Sequence, residues 1–140
     1  MVHRLIVVAI IQNKKGEYLL CKKPADLGVY PGQWALTGGG VEEGEEMEIA
    51  LRREVREEVG LEITTIKPAF FTDDHIVKYF PNCRSEEQYL IYLEFTCRTK
   101  LTKVKLNEEF ETYAWVKSKD LSKYDLNAPT RATFQKLQVF

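Results

Sequence analysis

Cysteine, histidine and long apolar runs are scarce in this chain, and each scarcity excludes a class of protein. The three cysteines, Cys21, Cys83 and Cys97, are odd in number and show no close metal-ligand spacing. They read as reduced thiols in a cytoplasmic protein rather than as a disulfide framework or a zinc site. The two histidines, His3 and His75, are isolated, without triad or zinc spacing, so no catalytic role is expected of them. An excess of positive charge is also missing: 20 Lys and Arg stand against 21 Asp and Glu, a net charge of −1. No global basic field therefore argues for a nucleic acid polymer as partner. The apolar run at residues 5–11 follows His3 and Arg4 but is too short to cross a bilayer, which takes ~20 residues. It ends in Gln12-Asn13-Lys14-Lys15-Gly16 with no small-residue cleavage pattern, so it reads as a strand entering a turn and not as a signal peptide or membrane anchor.

What is present fits one soluble domain over residues 1–140, with 44% hydrophobic and 29% charged residues. Strands are expected at residues 5–11 and 17–23, joined as a hairpin, and at 34–37 leading into a glycine run. The first clear helix covers residues 45–59. A β-branched and aromatic stretch follows at 61–71, with Pro68 marking an edge or bend. Segments 76–80 and 88–97 pattern as a long hairpin, since Tyr89, Ile91, Leu93 and Phe95 alternate. A short strand is expected at 113–116, an N-cap at Ser118, and a last helix at 130–137 behind Pro129. Strands dominate, and no repeat, low-complexity segment or linker interrupts them.

The chain centres on residues 39–61, where Gly38, Gly39 and Gly40 feed an acidic helix that Gly60 closes. At ~100° per residue, Met47, Ala50, Leu51 and Val55 share one face, the face to be buried. Glu54 projects between Ala50 and Leu51, Glu58 between Met47 and Leu51, and Glu57 lies at the margin. Most helices rich in Glu and Arg are simply solvated, but this placement is costly. A carboxylate at the edge of a core loses hydration unless paired or metal-bound, and acids at i, i+3 and i+4 repel one another. Hard carboxylate oxygens suit Mg²⁺ or Mn²⁺. The glycines would let a loop bend so that a backbone carbonyl turns towards the metal.

The spacing Gly39, Glu45, then Arg53-Glu54-Val55-Arg56-Glu57-Glu58-Val59-Gly60-Leu61 resembles the Nudix box at every defined position. Residues 30–42, 107–110, 113–116 and 124–127 are similar to a branch of that family, the nucleoside triphosphatases favouring pyrimidine deoxynucleotides. The resemblance implies an α/β (α+β) fold, an α/β/α sandwich with a mixed sheet. It implies hydrolysis of dUTP, dTTP or dCTP to a nucleoside monophosphate and pyrophosphate. It also implies a catalytic set of Glu54, Glu57, Glu58 and Arg53, with Mg²⁺ held by Gly38, Glu54, Glu57 and Glu58. The Glu54 equivalent often serves as base, and the equivalents of Arg53 and Glu45 form a salt bridge.

Outside the box, the family often supplies one more glutamate, here Glu108, Glu109 or Glu111, with Glu109 taken as a metal ligand. Lys22 is a candidate for a substrate phosphate. Tyr18, Tyr30, Trp34 and Phe70 are candidates for stacking on a base, Tyr18 and Trp34 being taken with Lys22 as the substrate-binding set, although such aromatics are more often core. Base choice is expected to rest on segments 24–33 and 71–88. The partner is a small-molecule nucleotide, and the chain is expected to be a monomer or homodimer. Two alternatives stay open: a Nudix hydrolase of a nucleotide sugar such as GDP-mannose, and a nucleotide-binding regulatory module without catalysis. Retention of Arg53, Glu54, Glu57 and Glu58 favours hydrolysis of a triphosphate over both.

Overall fold

The computed structural model describes residues 1–140. In chain order it contains β1 (Val2–Gln12), β2 (Tyr18–Lys22), β3 (Gly28–Val29), β4 (Trp34–Ala35), β5 (Thr37–Gly40), α1 (Met47–Val59), β6 (Thr64–Tyr79), β7 (Ser85–Arg98), β8 (Thr112–Val116) and α2 (Ala128–Lys136). Short 3₁₀ turns occupy Pro81–Cys83 and Ser118–Lys123. All eight strands join one sheet in the order β3-β6-β7-β1-β2-β4, with β5 added to β1 and β8 to β2.

β1 is the axis of the sheet. It runs parallel to β7 from Val2 opposite Gln88 to Gln12 opposite Arg98, and antiparallel to β5 from Ile6 opposite Gly40 to Ala9 opposite Thr37. The turn after β1 forms as its residues dictate. Asn13 Oδ1 accepts from the backbone N–H of Lys15 and of Glu17, and its amide donates to Glu17. The hairpin itself opens at once: β1 and β2 pair only at Gln12 and Tyr18. That divergence frees β1 for β5, and β2 for β4 and β8.

Strand alternation puts a core on each face. Val7, Ala9 and Ile11 of β1 point to one side, where they cluster with Ala50, Leu51, Val55 and Val59 of α1. Val8 and Ile10 point to the other, where Phe134 of α2 and Leu121 pack with Tyr18 and Leu20. One helix on each face of a mixed sheet is the expected sandwich. Leu51 and Val55 are fully buried, each worth about 1.5–3 kcal/mol relative to exposure. Gly60 ends α1 in the left-handed conformation (φ 68°), its N–H bonded to the Arg56 carbonyl.

Several expectations need correction. Segments 61–71 and 76–80 are not separate: β6 is one strand of 16 residues paired with β7. Pro68 bends it without ending it, because the register shifts between Pro68 and Phe70 absorb the missing N–H at a bulge. Met47 is 49% exposed, since the first residue of α1 reaches past the sheet. Ser118 caps nothing; Lys117 occupies that position before the 3₁₀ turn, without a side-chain bond.

Candidate active site

Gly38, Gly39 and Gly40 lie in an edge strand rather than in a bent loop, and none has positive φ. Their role is close approach. A Cβ on Gly38 would stand 2.1 Å from the Val7 carbonyl oxygen, and one on Gly39 would stand 2.3 Å from the Glu54 carboxyl carbon. β5 pairs only with β1, so its other edge is left for side chains from α1. Glu58 accepts from the Gly38 N–H at 3.0 Å and from the Thr37 hydroxyl at 2.6 Å. Arg53 donates to the Gly40 carbonyl at 3.0 Å. Within a strand the N–H and C=O of one residue point the same way. The Gly38 carbonyl therefore faces the α1 side as well.

Arg53 is the hub of this edge. It grips Glu45 with two bonds of 2.8 and 2.9 Å, Glu54 with one of 2.9 Å, and Glu57 at 3.4 Å. The Arg53 guanidinium above all, and then the Glu42 N–H, hold the Glu45 carboxyl at about 2. Glu58 behaves oppositely. It is 5% exposed, and burial pushes its carboxyl up to about 7 against the pull of Thr37, Lys23 and the Gly38 N–H. Burial also raises Glu54, opposed by Arg53 and reinforced by the charges of Glu57 and Glu109.

Glu54, Glu58 and Glu109 open onto a cavity of about 210 Å³ that passes the three glycines and continues over β1 and β7. Arg4, Lys23 and Lys78 also line it. Lys78 is lowered by burial and by its neighbours Arg4 and Lys23, a sign that like charges are gathered there. Ile6, Val8, Leu90, Tyr30 and Tyr92 form the apolar wall; Glu94, Asn127 and Thr133 are polar lining at the α2 end, and Gln88 lies at the other end of the β7 stretch, opposite Val2.

The expected substrate-binding residues lie elsewhere. Tyr18 is buried against Phe134, edge to face at 5.1 Å. Trp34 packs on Tyr124 at 4.9 Å, and Lys22 pairs with Glu111 at 3.2 Å. None of the three lines the cavity. Lys23, one position on, does so and stands 3.9 Å from Glu109. Glu57 projects outward, its side chain 54% exposed. Of the stacking candidates only Tyr30 reaches the cavity, with its hydroxyl donating to Asp74. Segments 24–33 and 71–88 contribute Gly28, Val29, Tyr30, Lys78 and Gln88. Arg4, Lys78 and Glu94 carried no local signal; only the pairing of β1, β6 and β7 brings them together.

The donor set fits a hard divalent cation. No group of three or more acidic, histidine or cysteine side chains converges. Mg²⁺, however, is commonly bound through one or two carboxylates, with waters and substrate phosphates completing its shell. Glu54 and Glu58 are two such carboxylates, each raised by burial, beside an outward-facing carbonyl at Gly38.

Comparison with known proteins agrees with this geometry. The NUDIX domain matches residues 2–137, and the chain belongs to the Nudix family. More narrowly, it is 57% identical over 135 residues to the nucleoside triphosphatase NudI of Klebsiella pneumoniae, covering 95% of each chain. It is 56% identical over 137 residues to NudI of Escherichia coli, covering 96% of each. Among solved structures, the MutT protein of Methanosarcina mazei superposes with a TM-score of 0.74 at 29% identity, over 98% of this chain and 94% of that one. A MutT Nudix hydrolase of Burkholderia pseudomallei shares the fold, with a TM-score of 0.76 at 21% identity over 98% and 99%. No helix is long and apolar enough to cross a membrane.

Proposed function

We propose that this chain hydrolyses nucleoside triphosphates, favouring the pyrimidine deoxynucleotides dUTP, dTTP and dCTP, to a nucleoside monophosphate and pyrophosphate with Mg²⁺. The observation that carries the reading is the juxtaposition in one cavity of the carboxylates Glu54, Glu58 and Glu109 with the cations Arg4, Lys23 and Lys78. Anionic phosphates are drawn to the cations, while the acids need a cation of their own. The names of the NudI relatives supply the substrate class. Glu54 and Glu58 would hold the metal with the Gly38 carbonyl, and the charges of Glu57 and Glu109, both felt by Glu54, would add to the negative field there. When bound, Mg²⁺ neutralises phosphate charge and lowers the pKa of bound water. Arg53 is a positioning residue: it fixes Glu54 against β5 and ties α1 to Glu45. Arg4, Lys23 and Lys78 orient the triphosphate. Glu54, raised by burial, can take the proton of the attacking water.

A panel of deoxy- and ribonucleoside triphosphates and nucleotide sugars, assayed with Mg²⁺ for pyrophosphate and monophosphate, tests the proposal. Equal turnover of purines and pyrimidines would remove the base preference and leave the triphosphatase reading standing. Release of a sugar or sugar phosphate would replace it, and no turnover of any compound would indicate a binding module.

A further inference from the structure

Strand β7 turns Gln88, Leu90, Tyr92 and Glu94 towards the cavity at alternate positions. Glu94 is out of place among them. It is 3% exposed; its Oε1 is met by the Thr133 hydroxyl of α2, and its Oε2 has no hydrogen-bond partner. Buried polar atoms in native structures are nearly always paired, and one left over calls for a ligand or a functional reason. Its location separates it from the acids of α1. Val8 lies opposite Glu94 on one side and opposite Gly38 on the other, so Glu94 stands two strands, ~10 Å, from Gly38. Val8, Ile6 and Tyr92 form an apolar floor between them. A nucleotide with its phosphates at the glycine edge would lay its base over that floor, with the edge of the ring at Glu94.

We propose that Glu94 is the residue that reads the base, its Oε2 accepting a hydrogen bond from an N–H on the pairing edge of the pyrimidine. That donor is the ring N3–H of uracil or thymine, or the exocyclic amine of cytosine. Thr133 holds the other carboxyl oxygen and so sets which way the acceptor faces. Burial, which raises the Glu94 pKa, also removes the water that would compete with the base. The inference rests on the triphosphatase reading for its substrate, and the test separates the two.

The experiment compares dTTP with N3-methyl-dTTP, which lacks the donor, for the wild type and for Glu94→Leu. Leucine carries no acceptor, whereas a glutamine amide can turn its oxygen or its NH₂ to the base, since the single Thr133 proton can go to the Pro129 carbonyl at 3.0 Å instead. Wild type is expected to prefer dTTP by roughly 10- to 100-fold in kcat/KM, mostly through KM. Glu94→Leu should lose that preference, its kcat/KM for dTTP falling towards that for N3-methyl-dTTP. A wild type that accepts both equally would overturn the assignment, as would a variant that loses activity on both in parallel, the mark of a structural role. Calorimetric binding of dTMP and N3-methyl-dTMP without metal repeats the comparison independently of hydrolysis. If no triphosphate is cleaved yet dTMP binds selectively through Glu94, the triphosphatase reading fails and this one stands; equal binding of both monophosphates to the wild type overturns it.

Discussion

Glu58 is buried, bonded to Thr37 and Gly38, and raised from its ordinary 4.5 to about 7. Because its pKa in the folded chain lies above the unfolded value, the protonated form favours folding. That contribution is complete below pH 4.5 and disappears as pH rises through 7. Metal-free protein should therefore lose stability relative to Glu58→Gln between these values, by about 1–3 kcal/mol. Thermal midpoints of both proteins with chelator, across that range, check it; parallel curves would place the titration elsewhere. The same substitution should cut Mg²⁺-supported turnover by ~10²-fold or more, the loss expected when a carboxylate proposed to hold the metal gives up its charge. The lysines offer a second comparison. Lys23→Gln should raise KM for a triphosphate by about 10-fold, because a charge-assisted phosphate contact is lost. Lys22→Gln, which removes only the exposed pair with Glu111, should leave KM within about 2-fold. Kinetics of both variants decide which lysine meets the phosphates. The sequence could not choose between them, because neighbouring residues of an extended chain face opposite ways and a slip of one position reverses the assignment.

At the scale of elements, β5 and α1 make the site together, and the glycines show how. A methyl group on Gly38 collides with the Val7 backbone, which cannot yield; on Gly39 it meets the Glu54 side chain, which can. Gly38→Ala should therefore cost about 1–3 kcal/mol of stability. Gly39→Ala should keep most stability but lose turnover, as Glu54 is pushed from its place. Measuring thermal midpoint and kcat for the two variants separates pairing from positioning; equal effects on both quantities would contradict it. At α2, Asn127 caps the helix by accepting from the Thr130 N–H at 2.9 Å. Asn127→Ala should cost ~1 kcal/mol, read by denaturant unfolding. The helices were legible because local chemistry marks their ends: Gly60 stops α1 and Pro129 opens α2. β5 was less so. Glycine is depleted in strands, and the need for it here comes from Val7 and Glu54, neither of which is adjacent in the chain. β6 was read as two segments for a related reason: only its pairing with β7 carries it through Pro68.

For the whole molecule, the parallel union of β1 and β7 matters most, since it brings Arg4, Glu94 and Lys78 into the same cavity as the acids of α1. No single-sequence pattern encodes that pairing, so the acidic helix was visible from spacing and the rest of the cavity was not. The same assembly makes folding and metal binding interdependent. Glu54 and Glu58 are both raised by burial, and the charge of Glu54 further disfavours ionisation of Glu58, so the native fold carries a cost that a divalent cation would remove. A ligand that binds only the folded state stabilises it by ~2.7 kcal/mol when present at 100 times its Kd. In a chain of this size, each kcal/mol moves the midpoint by roughly 3–5 °C. Saturating Mg²⁺ should thus raise the thermal midpoint by about 8–14 °C. Protons compete with metal for the same oxygens, so the increase should be larger at about pH 8 than at about pH 5.5. Glu54→Gln and Glu58→Gln should each abolish most of it, whereas Glu94→Gln, on the far side of the glycine edge, should preserve it. Thermal denaturation of the four proteins with and without Mg²⁺ gives the result. A rise that survives both α1 substitutions would show that the cation binds elsewhere, and one lost in Glu94→Gln would join the two ends of the cavity into a single metal site.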